Sequence, residues 1–323
     1  MSRYQGIYAK LLGQYVDFKR SLGYQFKSAE STYYLFDQFT LQNGETEIGI
    51  TKKLADLWAI QRPNESDNTR YKRVMYLIQF SAFLNDSGYK SYIPKLPKAY
   101  KSTFTPYVFS RKEMESIFNA SDQLELSNSM DSAINSIPAM LRMLYGTGIR
   151  IGEAVALKVK DVNLTNQCLI VRQSKNGKER MIPISDSLTD VCIQYRNSLQ
   201  LIHNPEAYFF VKRNGYKCRE ETIYEWFLKV IWKAGIIHGG RGQGCRLHDL
   251  RHSFSVHSLA KMAESGLDLY YSLPILSEYL GHLSLEATDK YVRLTSEIYP
   301  ALLSDINNVC AYAFPEVKCS ETD

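Results

Sequence analysis

The sequence predicts a mainly α-helical protein in two parts, with one small β-hairpin set into the second part. Three observations carry that expectation. Apolar residues recur at helical spacing along most of the chain. A stretch dense in proline and lysine interrupts them near residue 100, and only around residue 175 does the period shorten to that of strands. At 323 residues, 45% hydrophobic and 23% charged, the chain is long enough for two cores.

In chain order, residues 5 to 40 place Ile7, Leu11, Leu12, Tyr15 and Phe18, then Tyr34, Leu35 and Phe39, on helical faces. "ITKKLADLWAIQR" and "NTRYKRVMYLIQFSAFLNDSGY" repeat the pattern, the latter predicting a helix over 69–87, so this region holds about four helices. "IPKLPKAYKSTFTPY" follows, with Pro94, Pro97 and Pro106 favouring extended backbone, and is expected to be a linker. "SRKEMESIFNAS" then offers a serine cap before an amphipathic helix, and "SAINSIPAMLRMLYGTGIRIGEAVALKVKDVNL" predicts two helices broken by Gly146 and Gly148. "CLIVRQSKNGKERMIPIS" has two β-rich runs around an Asn-Gly turn, the signal of a hairpin. From residue 186 helices resume, interrupted by the glycine-rich "HGGRGQGC" at 238–245. No internal repeat or low-complexity tract is present.

Composition narrows the function classes. No run approaches the ~18 apolar residues that span a bilayer, and the start "MSRYQGIYAKLLGQYVDFKR" lacks a signal-peptide core, so a cytoplasmic protein without a membrane partner is expected. Six scattered cysteines form no C-x-x-C pair and indicate neither a zinc site nor a disulfide framework. The net charge of +5 is unevenly placed: residues 1–100 hold 14 Lys/Arg and 9 Asp/Glu, leaving 25 of each in the rest. A basic amino-terminal part suits a polyanion, and a solvated basic surface accounts for it equally well.

Four separated pieces of the second part carry residues suited to phosphate chemistry. In "GTGIRIGE", Arg150 follows a glycine break and opens a helix, a poor place for a cation beside the helix dipole, with Glu153 three residues on where the two can pair. Lys175 and Lys178 flank the hairpin turn, where lysine is usually only solubilising. "LHDLRHSF" sets His248 and Arg251 at i, i+3 on one helix face: a proton-transfer group beside a bidentate phosphate clamp, or a structural histidine beside a salt-bridged arginine. "LGHLSLEATDKYVRLT" puts His282 at a glycine break and Tyr291 nine residues later. Together they supply what metal-free phosphodiester transesterification requires. Arginines neutralise the non-bridging oxygens, a histidine donates to them, a tyrosine attacks, and a lysine protonates the leaving oxygen. No Walker loop, acidic cluster for two-metal work or G-x-S-x-G elbow points to other chemistry.

On these ordered motifs, Arg150 with Glu153, Lys175, His248-x-x-Arg251, Gly281-His282 and Tyr291, the sequence resembles the tyrosine recombinases, or phage integrase family, over roughly residues 110–295. The resemblance implies a two-domain DNA clamp: a helical DNA-binding domain (1–93), a linker (94–109), a catalytic domain (110–296) and a carboxy-terminal tail (297–323). It implies catalysis by Arg150, Lys175, His248, Arg251, His282 and Tyr291, supported by Glu153, through a 3′-phosphotyrosyl bond, with no cofactor or metal. Lys175 rather than Lys178 would be the acid, since "SKNGKER" looks like the family's hairpin. Double-stranded DNA is the implied partner, bound by a homotetramer, with accessory DNA-bending or sister recombinase proteins. The length of "YYSLPILSEYLGH" is more like transposase-type recombinases of mobile elements, and the implied setting is a bacterial nucleoid or mobile element. Arg70, Lys72, Arg73 and Lys178 are expected DNA contacts, each also readable as solvated. Past Tyr291, Ile298, Leu302, Leu303, Ile306 and Val309 form an apolar stripe needing a partner surface, in a neighbouring subunit or in its own domain. A type IB topoisomerase-like enzyme and a catalytically silent DNA-binding regulator are the rival readings.

Overall fold

The computed structural model describes residues 3–98, 105–125, 129–172, 179–199, 204–240, 244–282 and 284–299. The chain forms two compact units, Met1–Phe104 and Thr105–Asp323. The hairpin turn with Lys175 and Lys178, and the stripe from Leu302 to Val309, lie outside the described residues.

In the first unit the described helices are α1 (Ala9–Ser21), α2 (Lys27–Gln42), α3 (Lys52–Ala59) and α4 (Asp67–Asp86). The last starts two residues before the expected 69, because Ser66 is the cap and its hydroxyl accepts from Thr69 N. Thr51 does the same for α3 through Leu54 N. The core is largely aromatic: Tyr8, Tyr15, Tyr33, Phe36, Trp58 and Phe80 are buried together, with most ring pairs edge-on or tilted.

Arg73 belongs to this interior, contrary to its expected place on a DNA-facing surface. Its side chain is 4% exposed; Nε and Nη2 donate to the two Glu65 carboxylate oxygens at 2.8 and 2.7 Å, Nη2 also to Ile60 O, and the guanidinium lies over Trp58. Arg70 is half-buried, with Nε on Ala59 O, and Lys72 is exposed.

The second unit opens with α5 (Arg111–Asp122), capped reciprocally by Ser110 and Glu113 as its sequence predicts. After α6 (Ile137–Thr147) comes a break and then α7 (Ile151–Ala156). Gly146 stays inside α6; the break is at Gly148 alone, whose φ of 60° favours glycine and where a Cβ would collide with the Phe254 ring. Strands β1 (Val162–Asn163), β2 (Cys168–Val171) and β3 (Arg180–Pro183) form an antiparallel sheet in that order, with Val171 opposite Arg180. Helices α8 (Asp186–Ser198), α9 (Glu220–Lys233), α10 (Asp249–Glu264), α11 (Leu269–Leu280) and α12 (Glu286–Ile298) complete it. A large core centred on α6 joins the sheet to α5, α8 and α9, and a smaller one packs α10, α11 and α12 around Val256, Leu259, Leu280 and Tyr291. No described helix is long and apolar enough to cross a membrane.

Candidate active site

Two chain breaks build the site. The Gly148 turn caps α6 and leaves its own carbonyl free to accept from Arg251 Nη1 at 2.6 Å. Arg150 follows as the N-cap of α7, where its backbone N–H and guanidinium reach the two oxygens of Glu153 at 3.0 and 2.9 Å. The end of α11 is a Schellman turn, with Gly281 at φ 66° and His282 N donating to Ser277 O. That turn places His282 against Arg251.

Arg251 is 2% exposed. Its bonds go to Gly148 O, to Leu280 O at 2.9 Å and to His282 Nε2 at 2.9 Å. Guanidinium can only donate, so His282 Nε2 accepts, its proton sits on Nδ1, and Nδ1–H donates to Thr288 Oγ1 at 2.7 Å. Here His282 therefore orients Arg251; donating to a phosphate would need a second proton on Nε2. Burial first, then the charges of Arg251 and Arg150, hold His282 down at about 4. Burial and the nearby Arg150 pull even Arg251 down to about 10.

Tyr291, on α12, is 1% exposed, and its hydroxyl lies 2.8 Å from Nδ1 of His252. Burial raises its pKa against the opposing pull of Arg251. The ring stacks near that of His282, and the Lys290 ammonium sits 5.0 Å from its centroid. His248 is the N-cap of α10, an exposed residue whose ring meets the His252 ring at right angles, 4.8 Å away. Desolvation, then Arg251 and Arg246, hold it at about 4. Arg150, Glu153, His248, Arg251, His282 and Tyr291 thus converge, from three separated pieces of sequence, on one cationic pocket.

Two further participants were missed in the sequence. Arg180, at the start of β3, donates to Glu153 at 2.8 Å and to Tyr279 O at 3.1 Å, and packs against Gly281. It ties the hairpin strand to both the Arg150 helix and the His282 turn. Burial alone would raise the Glu153 carboxyl, but the bonds from Arg180 and Arg150 outweigh it and leave the pKa low. Arg180 stands in "SKNGKERMIPIS", where nothing in the local sequence separates it from the lysines of the turn. His252 is one turn after His248, an i, i+4 spacing that marks a shared face. Among the described residues no group of three His, Cys, Asp or Glu side chains could hold a metal.

A buried tyrosine hydroxyl near an arginine in no described ion pair, with imidazoles around it, is an arrangement able to carry out phosphoryl transfer. The comparisons with known proteins agree. The phage integrase family model matches residues 108–297. Tyrosine recombinase XerA of Pyrococcus horikoshii is 30% identical over 267 residues, 82% of each protein. Two DNA-bound structures share the fold. A Tn1549 transposon integrase with transposon right end DNA has a TM-score of 0.62 at 18% identity, covering 88% of this chain and 98% of that one. The XerH recombinase in a post-cleavage complex with palindromic difH has a TM-score of 0.62 at 20% identity, covering 84% and 78%. The chain belongs to the phage integrase family, as a site-specific recombinase of the tyrosine type.

Proposed function

We propose that this protein cleaves and rejoins duplex DNA with Tyr291 as nucleophile. The tyrosine oxygen bonds to the scissile phosphorus as the bond to the 5′-oxygen breaks, the phenol proton passing to the neutral His248, which leaves a 3′-phosphotyrosine and a free 5′-hydroxyl. A 5′-hydroxyl of a second duplex reverses the step on a new partner, and since the bond energy is conserved the cycle calls for neither ATP nor metal. Arg150 and Arg251 take the non-bridging oxygens, with His248 and His282 beside them, and Lys175 protonates the 5′-oxygen. The observation that carries this reading is the Tyr291 hydroxyl held against a cationic pocket whose innermost arginine bonds only neutral groups.

The two units would close around the duplex as a clamp, with Lys72 and Arg70 on phosphates and Lys178 near the cleaved strand. Four chains on paired sites, a tail exchanged between them and accessory DNA-bending proteins complete the proposal. The similarity to a transposon integrase supports a mobile-element substrate.

The decisive test is Tyr291→Phe on a suicide duplex, scored as covalent adduct on a denaturing gel. DNA binding should survive and the adduct vanish; a persisting adduct moves the nucleophile elsewhere. Joining of two different duplexes, rather than relaxation of one, separates recombination from topoisomerase action. For the acid, Lys175→Ala should be slow on the normal substrate and restored by a 5′-bridging sulfur. Restoration with Lys178→Ala instead would reassign the acid to Lys178.

A further inference from the structure

Tyr291 does not point its hydroxyl at open solvent. The oxygen is 2.8 Å from Nδ1 of His252, a residue 4% exposed that no step proposed above uses. Which atom owns the shared proton follows from the other side of the ring. Nε2 of His252 faces the fully buried Asp249 carboxylate at 3.9 Å, too far for a hydrogen bond but close enough for the negative charge to favour the proton on Nε2. Nδ1 is then a bare acceptor, and the phenol donates to it. Fixing the direction of that O–H fixes the tyrosine lone pairs as well, so they cannot swing freely when a phosphate enters.

We propose that His252 is the positioning residue of the nucleophile: its uncharged Nδ1 holds the Tyr291 hydroxyl in one orientation beside Arg251 until the phosphate is seated. This rests on Tyr291 being the nucleophile. His252 orients the phenol without taking its proton. Burial, with His248 and Lys290 adding to it, depresses the ring to about 2, whereas Tyr291 is raised, so a net transfer between them is strongly uphill. Ser255 and Arg251 also reach the Tyr291 oxygen and partly offset the effect of burial on its pKa, while His252 Nδ1, at 2.8 Å, is the ring nitrogen placed to accept from its O–H.

Two substitutions separate accepting from filling space. His252→Asn keeps an oxygen acceptor near the Nδ1 position but loses ring volume; His252→Phe keeps a ring and loses the acceptor. In single-turnover cleavage of a saturating suicide duplex, His252→Asn should stay close to wild type and His252→Phe should fall by about tenfold or more, with DNA affinity unchanged in both. The reverse order, or equal rates in the two variants, overturns the proposal. Thermal melts show whether both fold. If they do not, ¹⁵N-histidine spectra of the wild type decide: the Nδ1 of His252 should carry no proton and should shift in Tyr291→Phe, and a protonated Nδ1 overturns the assignment. A wild type that forms no adduct would instead refute the nucleophile reading, leaving the spectra to judge His252.

Discussion

Arg73 in the first unit and Arg251 in the second are almost equally buried, at 4% and 2% exposure, and they are held in opposite ways. Arg73 meets a carboxylate in a two-point bond, and Glu65, itself buried, has a depressed pKa: burial would raise it, but the Arg73 bonds prevail. Arg251 has two carbonyls and an imidazole, and none of the described ion pairs includes it. Both guanidinium groups are hydrogen-bonded, although Nη1 of Arg73 is buried without a hydrogen-bond partner; only the first meets a carboxylate. A guanidinium desolvated without a counter-ion is costly, and a fold that keeps one is arranged for an anion that arrives later. The contrast marks Arg73 as a structural residue and fits the phosphate-binding role proposed for Arg251.

The largest expected effects pull the two apart. Arg251→Ala should lower the adduct-forming rate by the equivalent of ~3–4 kcal/mol, as for loss of an oxyanion donor, with little change in melting temperature. Arg73→Ala should leave Glu65 buried and unpaired and cost ~3–5 kcal/mol of stability in the first unit, with cleavage per folded molecule retained. Parallel adduct assays and thermal melts check both. A melting loss in Arg251→Ala as large as in Arg73→Ala would erase the distinction. Next in size, the double change Arg73→Met with Glu65→Leu should recover most of the lost stability, because well-packed apolar groups often replace a buried ion pair at no net cost. Failure to recover in denaturant titrations would show the pair to be irreplaceable.

A smaller effect is on pH. His252 and His282 are held at about 2 and about 4, chiefly by burial and then by the surrounding cations, so between pH 6.5 and about 4 their unfolded forms bind protons that the folded forms do not. Stability should therefore fall as pH drops through that window, and His252→Asn should flatten part of the slope in chemical denaturation series. The smallest effect is at the surface. Lys72→Ala should reduce the slope of log affinity against log salt by about 0.9, as for one phosphate contact, whereas an unchanged slope in fluorescence anisotropy would make Lys72 a solvated lysine.

The parts of this molecule that local chemistry dictates were legible in the sequence. Ser110 with Glu113 announces α5, and Arg150, His248, Arg251, His282 and Tyr291 share a pocket as their motifs implied. Gly148 announces the break before Arg150, although Gly146 does not. What escaped depends on partners distant in sequence. Arg180 acquires its role from Glu153, 27 residues earlier, and from Tyr279, 99 residues later. Arg73 carries the same charge as Lys72 beside it, and only the fold decides that one turns toward Trp58 and Glu65 while the other faces water. The role of His252 was hidden differently: its spacing from His248 is readable, but its bond to Tyr291 spans 39 residues.

The cramped turn at Gly148 bears on how such an enzyme could be re-engineered. Any side chain there would meet Phe254 and disturb the carbonyl that Arg251 leans on. Libraries that seek new target preference should therefore leave positions 148, 180 and 281 invariant and diversify the exposed face of α4 around Lys72 instead. If Lys72 contacts DNA as proposed, variants drawn from that face would change binding while leaving the reaction centre as it is.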